Sequence, residues 1–200
     1  MKKVLISLLV TVGATSVAIA EGNPEAGKAL TAVCGACHGA DGNSLAPTFP
    51  KLAGQSESYL LKQMTDIKSG ARPVAQMTGL LDGMSEQNLA DISAYFANQS
   101  VVVGQADPAL VEAGKNIYRD GNPETGVPAC MACHGPAGKG LNSAGFPQLS
   151  GQHASYTASQ LKMFQFGDRN NDAAKIMQNI AFKMNEREIQ AVSSYIQGLY

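Results

Sequence analysis

The stretch Cys34-Gly35-Ala36-Cys37-His38-Gly39 returns 96 residues later as Cys130-Met131-Ala132-Cys133-His134-Gly135. In C-x-x-C-H the two thiols reach the two vinyl groups of one haem and form thioether bonds, while the adjacent imidazole faces the iron. The motifs therefore predict two covalently bound haem c groups, attached at Cys34 and Cys37 and at Cys130 and Cys133, with His38 and His134 as axial iron ligands.

The rest of the chain repeats as well. Phe49–Gln55 (FPKLAGQ) returns as Phe146–Gln152 (FPQLSGQ), and Met77, Met84 and Tyr95 return 100 residues later as Met177, Met184 and Tyr195. A duplication over the whole chain is typical of tandem homologous units. It predicts two domains, at residues 21–103 and 104–200, with residues 100–107 as the linker between them.

Each half is predicted to be all-α, because apolar residues recur at helical spacing and strand-like alternation is scarce. Asn23-Pro24 and Asp107-Pro108 each place a capping residue before a proline at the first helical position. A second helix is expected to begin near Ser56 in one half and near Ala154 in the other. A last helix is expected after Met84 in the first half and after Met184 in the second. Domains this small bury little apolar surface, so a haem would supply the missing core.

Residues 1–20 have the features of a secretory signal peptide, since Lys2 and Lys3 precede the apolar run Val4–Val12 and Ala18-Ile19-Ala20 supplies small residues for cleavage. The run is shorter than the roughly 20 residues of a membrane-spanning helix. We therefore expect a mature protein outside the cytoplasm with no transmembrane segment. Without Lys2 and Lys3 the chain has 13 basic and 16 acidic side chains, a net charge of −3, which does not favour a nucleic-acid partner.

Other readings of the four cysteines fit less well. A zinc site would have to join two Cys pairs that lie 96 residues apart in separate repeats. A thioredoxin-like pair needs a βαβ setting that the sequence does not indicate. A disulfide between cysteines three residues apart would constrain almost nothing.

The sixth iron ligand is predicted to be methionine, because three histidines cannot supply two bis-histidine haems. His153 aligns with Ser56 and is not part of the repeated pattern. Two repeated pairs remain, Met77 with Met177 and Met84 with Met184. Met84 precedes the N-cap residue Ser85, and Met184 similarly precedes Asn185, with an apolar residue at the fourth helical position in both.

That arrangement is a hydrophobic staple, accompanied by a capping box in the second copy, so it gives Met84 and Met184 a structural role. Met77 and Met177 have no such structural role. We therefore favour Met77 and Met177 as the axial ligands and leave Met84 and Met184 as the alternative.

These residues resemble the dihaem cytochrome c4 family over essentially the whole mature chain. The most specific matches in the first half are Val33–Gly39, Asp41–Ser44, Phe49–Gln55, Tyr59–Gln63 and Met77-Thr78-Gly79. Those in the second half are Ala144–Pro147, Gly151–Ala154 and Ser194–Leu199. The resemblance implies a periplasmic protein made of two tandem class I cytochrome c domains. It also implies His/Met ligation, with Met77 and Met177 at the positions of the axial methionines.

The resemblance further implies an electron carrier, not an enzyme, that passes single electrons from a quinol-oxidising complex to a terminal oxidase or reductase near the membrane surface. One alternative is the cytochrome subunit of a flavoprotein dehydrogenase. The chain has no Gly-rich dinucleotide fingerprint, so that role would need a separate flavin chain. A dihaem peroxidase fits less well, because it needs an open iron position and both halves offer a methionine.

Overall fold

The computed structural model describes residues 21–200, and the predicted signal peptide lies outside them. Within this range no β-strand forms, apart from isolated bridges at Asn122–Val127 and Leu141–Phe146. Short 3-10 turns lie at Ala75–Met77, Asn142–Ala144 and Ala173–Lys175. The α-helices are α1 (Pro24–Leu30), α2 (Ala32–His38), α3 (Glu57–Ser69), α4 (Glu86–Ala97), α5 (Val111–Asp120), α6 (Met131–His134), α7 (Ala154–Phe166), α8 (Ile176–Ala181) and α9 (Glu186–Gln197). The all-α prediction is confirmed.

Most predicted helix starts are confirmed, and one is wrong. The Asn23 side chain accepts hydrogen bonds from the backbone N–H groups of Glu25 and Ala26 and caps α1, and Ser56 caps α3. The start predicted at Asp107-Pro108 is wrong, because α5 begins only at Val111. The Asp107 side chain instead accepts from the backbone N–H of Ala109, which closes a turn ahead of the helix.

In each half the first and last helices cross at a glycine. A Cβ added at Gly27 in α1 would lie 2.0 Å from the carbonyl oxygen of Asp91 in α4, and one at Gly114 in α5 would lie 2.2 Å from that of Ala191 in α9. Only a residue without a side chain allows the backbones to approach this closely. The two crossings are therefore equivalent features of the duplicated fold.

Each half has an apolar core of its own that reaches its Cys motif. In the first half Leu60, Ile92 and Phe96 are buried, and the side chain of Cys34 packs against them. In the second half Cys130 packs against a larger cluster, made of Ile117, Tyr118, Val127, Ala158, Met184, Ile189, Val192, Ile196 and Leu199. The first cysteine of each motif thus borders the interior of its domain.

The two halves are joined by a hydrogen-bond network that repeats the internal symmetry. The guanidinium of Arg72 donates to Gln63 in its own half and to Tyr156 and Gln160 in the other, at 2.9 to 3.0 Å. Arg169 makes the corresponding bonds to Gln160, Tyr59 and Gln63 at 2.8 to 3.1 Å. Both arginines are buried, so the network fixes how the halves face each other.

None of the helices within residues 21–200 combines the length and the apolar character needed to cross a membrane.

Candidate functional site

The histidines of both C-x-x-C-H motifs are buried and held by a backbone carbonyl. Nδ1 of His38, at the end of α2, lies 2.8 Å from the carbonyl oxygen of Pro50, and Nδ1 of His134, at the end of α6, lies 3.0 Å from that of Pro147. A carbonyl can only accept, so Nδ1 carries the proton in both rings and Nε2 has a free lone pair. The Pro50 and Pro147 carbonyls therefore fix the tautomer of the two imidazoles.

Two further features of the imidazoles favour iron binding. Burial lowers the pKa of both His38 and His134, and the hydrogen bonds to the proline carbonyls offset only part of this effect. Neutral imidazole is the form that binds metals. Among residues 21–200, Nε2 of neither ring has a hydrogen-bond partner. Each ring therefore presents one unused lone pair.

Aromatic residues of the repeated Phe-Pro-x-Leu stretch border the histidines. The ring of Phe49 meets that of His38 edge-on, with centroids 6.2 Å apart, and Phe146 lies 6.1 Å from His134. The phenylalanine and the proline carbonyl come from the same short segment. That segment therefore sets both the position and the tautomer of the imidazole.

Within residues 21–200 no disulfide joins any of the four cysteines. Burial raises the pKa of Cys34, and it raises that of Cys130 to about 11. Thiols in such surroundings are not activated as redox nucleophiles. The placement of Cys34 and Cys130 at the edge of each core, in a motif that ends in a histidine with a free Nε2, fits covalent haem attachment. No group of three or more His, Cys, Asp or Glu side chains within residues 21–200 could hold another metal ion.

The structure gives Met84 and Met184 the structural surroundings that the staple interpretation predicts. Met184 is only 4% exposed and belongs to the same core cluster as Ile189, four positions into α9. Met84 packs against the first-half core. Capping boxes are present at the starts of both α4 and α9, whereas the sequence predicted only the second; in the first, Asn88 takes the place of the usual acidic or glutamine residue.

Met77 and Met177 are half-buried and precede α4 and α9 in the chain. Met77 ends a 3-10 turn, whereas Met177 lies in the first turn of α8. The Asp172 carboxylate accepts a hydrogen bond from the backbone N–H of Met177 at 2.8 Å. Just before Met177, Ala174 and Lys175 have positive φ values of 51° and 56°, a conformation that L residues rarely adopt. Neither methionine contributes to the buried core clusters.

His153 takes no part in either histidine site. It is the N-cap residue of α7, and its Nε2 lies 2.9 Å from both the carbonyl oxygen and the hydroxyl of Ser44 in the other half. It is therefore an interdomain contact. The sequence separated it correctly from the repeated ligands but did not predict its partner.

Sequence reasoning missed two functional neighbours of the histidines, Gln55 and Gln152. Each side-chain amide pairs with the backbone of the other half, Gln55 with both polar groups of Gln148 and Gln152 with those of Lys51, at 2.9 to 3.0 Å. Both glutamines end the repeated seven-residue stretch. Their retention in both copies was the available signal.

Comparisons with known proteins agree with this site. The family model described as cytochrome c matches residues 24–100 and again residues 111–200. Cytochrome c4 of Pseudomonas aeruginosa is 59% identical over 201 aligned positions, covering 100% of both chains. The crystal structure of reduced recombinant cytochrome c4 from Pseudomonas stutzeri is similar with a TM-score of 0.88 and 54% identity, covering 90% of this chain and 100% of that one.

A further relative carries a different description. A protein of Stutzerimonas stutzeri described as a thiosulfate dehydrogenase electron acceptor is 38% identical, over 83% of this chain and 78% of its own length.

Proposed function

The chain belongs to the cytochrome c4 family of dihaem electron carriers, and from this premise we propose that it carries single electrons in the periplasm, from a quinol-oxidising complex to a terminal oxidase or reductase. The observation that carries the proposal is the duplicated histidine site. Both imidazoles are buried, hold their proton on Nδ1 at a proline carbonyl and keep Nε2 free. Two equivalent sites, each with a buried histidine that keeps one nitrogen free for iron, suit a carrier with two haems.

We assign four residues to each haem. In the first half Cys34 and Cys37 attach the vinyl groups, and His38 and Met77 are the axial ligands of the iron. In the second half the corresponding residues are Cys130, Cys133, His134 and Met177. The structural role of the other repeated methionine pair supports this choice, because Met84 and Met184 pack into the cores at the starts of α4 and α9.

The protein residues contribute position and protection. When bound, each haem supplies an iron that gains or loses one electron without making a bond to substrate. The proline carbonyl holds the imidazole in one tautomer and one orientation, so little rearrangement accompanies a change of charge. The apolar cores beside Cys34 and Cys130 keep water from that side of the site.

The domain limits and the location are part of the proposal. We place the domains at residues 21–103 and 104–200. Secretion would be directed by residues 1–20, which lie outside the described structure but carry the basic, apolar and small-residue pattern of a signal peptide.

The proposal is tested by adding the purified holoprotein to membranes that contain a quinol-oxidising complex and a terminal oxidase. Quinol should reduce both haems, oxygen should reoxidise them, and an inhibitor of the quinol-oxidising complex should abolish the reduction. Haems that stay oxidised with quinol, in membranes shown to reduce another cytochrome c, would contradict the proposed donor.

The ligand assignment has its own test. Met77→Ala and Met177→Ala should each remove the methionine-dependent absorption of one haem, with Met84→Ala as the matched control that keeps it. The assignment fails if Met84→Ala removes that signal while Met77→Ala leaves it unchanged.

A second candidate role is that of electron acceptor for a periplasmic dehydrogenase. It is favoured by the 38% identical relative described as a thiosulfate dehydrogenase electron acceptor. Such a role needs a separate catalytic chain. Reduction of the haems by thiosulfate and its dehydrogenase, at a rate above that with quinol and membranes, would favour this candidate over the first.

A further inference from the structure

The peptide group that joins Pro50 to Lys51 is hydrogen-bonded at both of its polar ends. Its carbonyl accepts from Nδ1–H of His38 at 2.8 Å, and its N–H donates to Oε1 of Gln152, in the other half, at 2.9 Å. In a trans peptide the C=O and N–H bonds point in opposite directions. The imidazole, the peptide and the amide therefore form one continuous chain of hydrogen bonds across the domain interface.

An equivalent chain of hydrogen bonds has its histidine in the second half and its glutamine in the first. The carbonyl of Pro147 accepts from Nδ1–H of His134 at 3.0 Å, and the N–H of the same peptide group, carried by Gln148, donates to Oε1 of Gln55 at 2.9 Å. Each histidine is thus connected through a single peptide group to a glutamine of the opposite domain. The duplication makes the arrangement reciprocal.

The glutamine amides are fixed in orientation. Oε1 of Gln152 accepts from the N–H groups of both Lys51 and His153, and its Nε2 donates to the carbonyl of Lys51 at 3.0 Å. Gln55 makes the equivalent bonds to Gln148 and Ser56. Turning either amide over would set N–H groups against N–H donors and oxygen against oxygen, so the chemistry permits only this orientation.

We propose that Gln152 tunes the donor strength of His38 and that Gln55 tunes that of His134, so that each domain adjusts the reduction potential of the haem in the other. This rests on the ligand assignment in the proposed function. An engaged N–H polarises its peptide and makes the carbonyl a stronger acceptor. A stronger bond to Nδ1–H makes the imidazole a better electron donor, which favours ferric iron and lowers the potential.

Gln152 and Gln55 are therefore positioning residues, which act on the histidines through a peptide group. Their effect depends on how the halves are packed, since both acceptors reach their peptide only across the interface. A change in the packing of one domain on the other would alter both potentials. The fold thus connects each axial histidine to a side chain of the opposite domain.

The test compares Gln152→Met with Gln55→Met, which keep the side-chain length but remove the acceptor and donor atoms. In a domain-resolved redox titration, Gln152→Met should raise the potential of the first-half haem and Gln55→Met that of the second-half haem. We expect the ratio of ferrous to ferric haem at a fixed applied potential to rise by roughly threefold, about 28 mV at 59 mV per tenfold for a one-electron couple.

Ser155→Ala is the matched control. It removes a different hydrogen bond between the halves, from the Ser155 hydroxyl to the carbonyl of Pro47 at 2.6 Å. Both chains of hydrogen bonds from histidine through the peptide group to glutamine stay intact. It should change neither potential. If a glutamine variant fails to accumulate, Gln152→Asn and Gln55→Asn replace it, since the shorter amide cannot reach the peptide.

A second readout does not depend on electron transfer. In the diamagnetic ferrous protein, the NMR signal of the His38 Nδ1 proton should move to higher field in Gln152→Met and stay in place in Gln55→Met, because its hydrogen bond weakens only in the former. The proposal would be overturned if the His38 Nδ1 proton signal stayed in place in both variants. It would also be overturned if a substitution shifted both haem potentials equally, or shifted only the potential of the haem in the mutated domain.

The outcomes also separate this proposal from the proposed function. If each glutamine variant shifts the potential of the haem in the opposite domain, but the membranes cannot reduce the protein, the tuning is supported and the proposed electron donor is wrong. If instead quinol reduces the haems normally, but the potentials of the glutamine variants equal those of Ser155→Ala, the tuning is wrong and the proposed function stands.

Discussion

The two halves of this molecule share one architecture but pack their interiors differently. Both cross their first and last helices at a glycine and place a buried histidine against a proline carbonyl. The first half has three buried residues in its core cluster, whereas the second has nine. Duplication thus preserved the site geometry while the surrounding packing diverged.

The loops diverged as well. Only Thr31 separates α1 from α2, whereas residues 121–130 separate α5 from α6 and contribute the buried side chain of Val127 to the second core. The second half also has the two left-handed residues before Met177, which the segment before Met77 does not share. We therefore expect the polypeptide to contribute more stability in the second domain, and the first domain to depend more on its haem.

The largest expected effect comes from removing one haem at a time. Cys34→Ala with Cys37→Ala should leave the first half largely unfolded, because without its haem a core this small supplies at most about 3–5 kcal/mol of stability. Cys130→Ala with Cys133→Ala should retain more helix. Haem-to-protein ratios confirm the loss of one haem, and circular dichroism during thermal unfolding measures the remaining structure. Equal loss of helix in both variants would contradict the difference between the cores.

A smaller effect separates the two staple methionines. Met184→Ala should lower the free energy of unfolding by about 3 kcal/mol, because it empties a site that is 4% exposed within the core. Met84→Ala, at a half-buried position, should cost about 1 kcal/mol. Urea unfolding of the holoproteins measures both. Similar costs would show that the packing around the two methionines is equivalent.

The smallest effect concerns His153, for which the first half has Ser56. Burial lowers the pKa of His153; its bond to the carbonyl of Ser44 opposes this shift and the charge of Lys51 adds to it. The unfolded chain therefore binds the proton more tightly, so stability should fall as pH decreases below the ordinary value of about 6.5. Because solvent screens this partly exposed ring, we expect only a few tenths of a kcal/mol.

His153→Ser should reduce the pH dependence between pH 7 and pH 5 by that amount. Thermal unfolding at the two pH values measures it, with Ser155→Ala as an interface control that titrates no group. An unchanged pH dependence in His153→Ser would assign the effect to other groups.

The sequence alone determined the features that depend on neighbours in the chain. The C-x-x-C-H spacing predicted both haem attachments, and capping residues such as Asn23 and Ser56 predicted helix starts, because caps act on N–H groups two or three residues away. The same rule failed at Asp107, whose side chain closes a turn, since an Asp-Pro pair fits a turn as well as a helix start. The apolar staple at Met184 was also correctly predicted.

Only the tertiary structure decided how the halves act on each other. The partners of Gln152, Arg169 and His153 lie about 100 residues away, and no local pattern specifies which carbonyl or hydroxyl they meet. The repeat marked Gln55 and Gln152 as a pair but gave no contact. Their position beside the histidine peptides follows from packing one copy of the domain against the other, where buried polar groups must find partners.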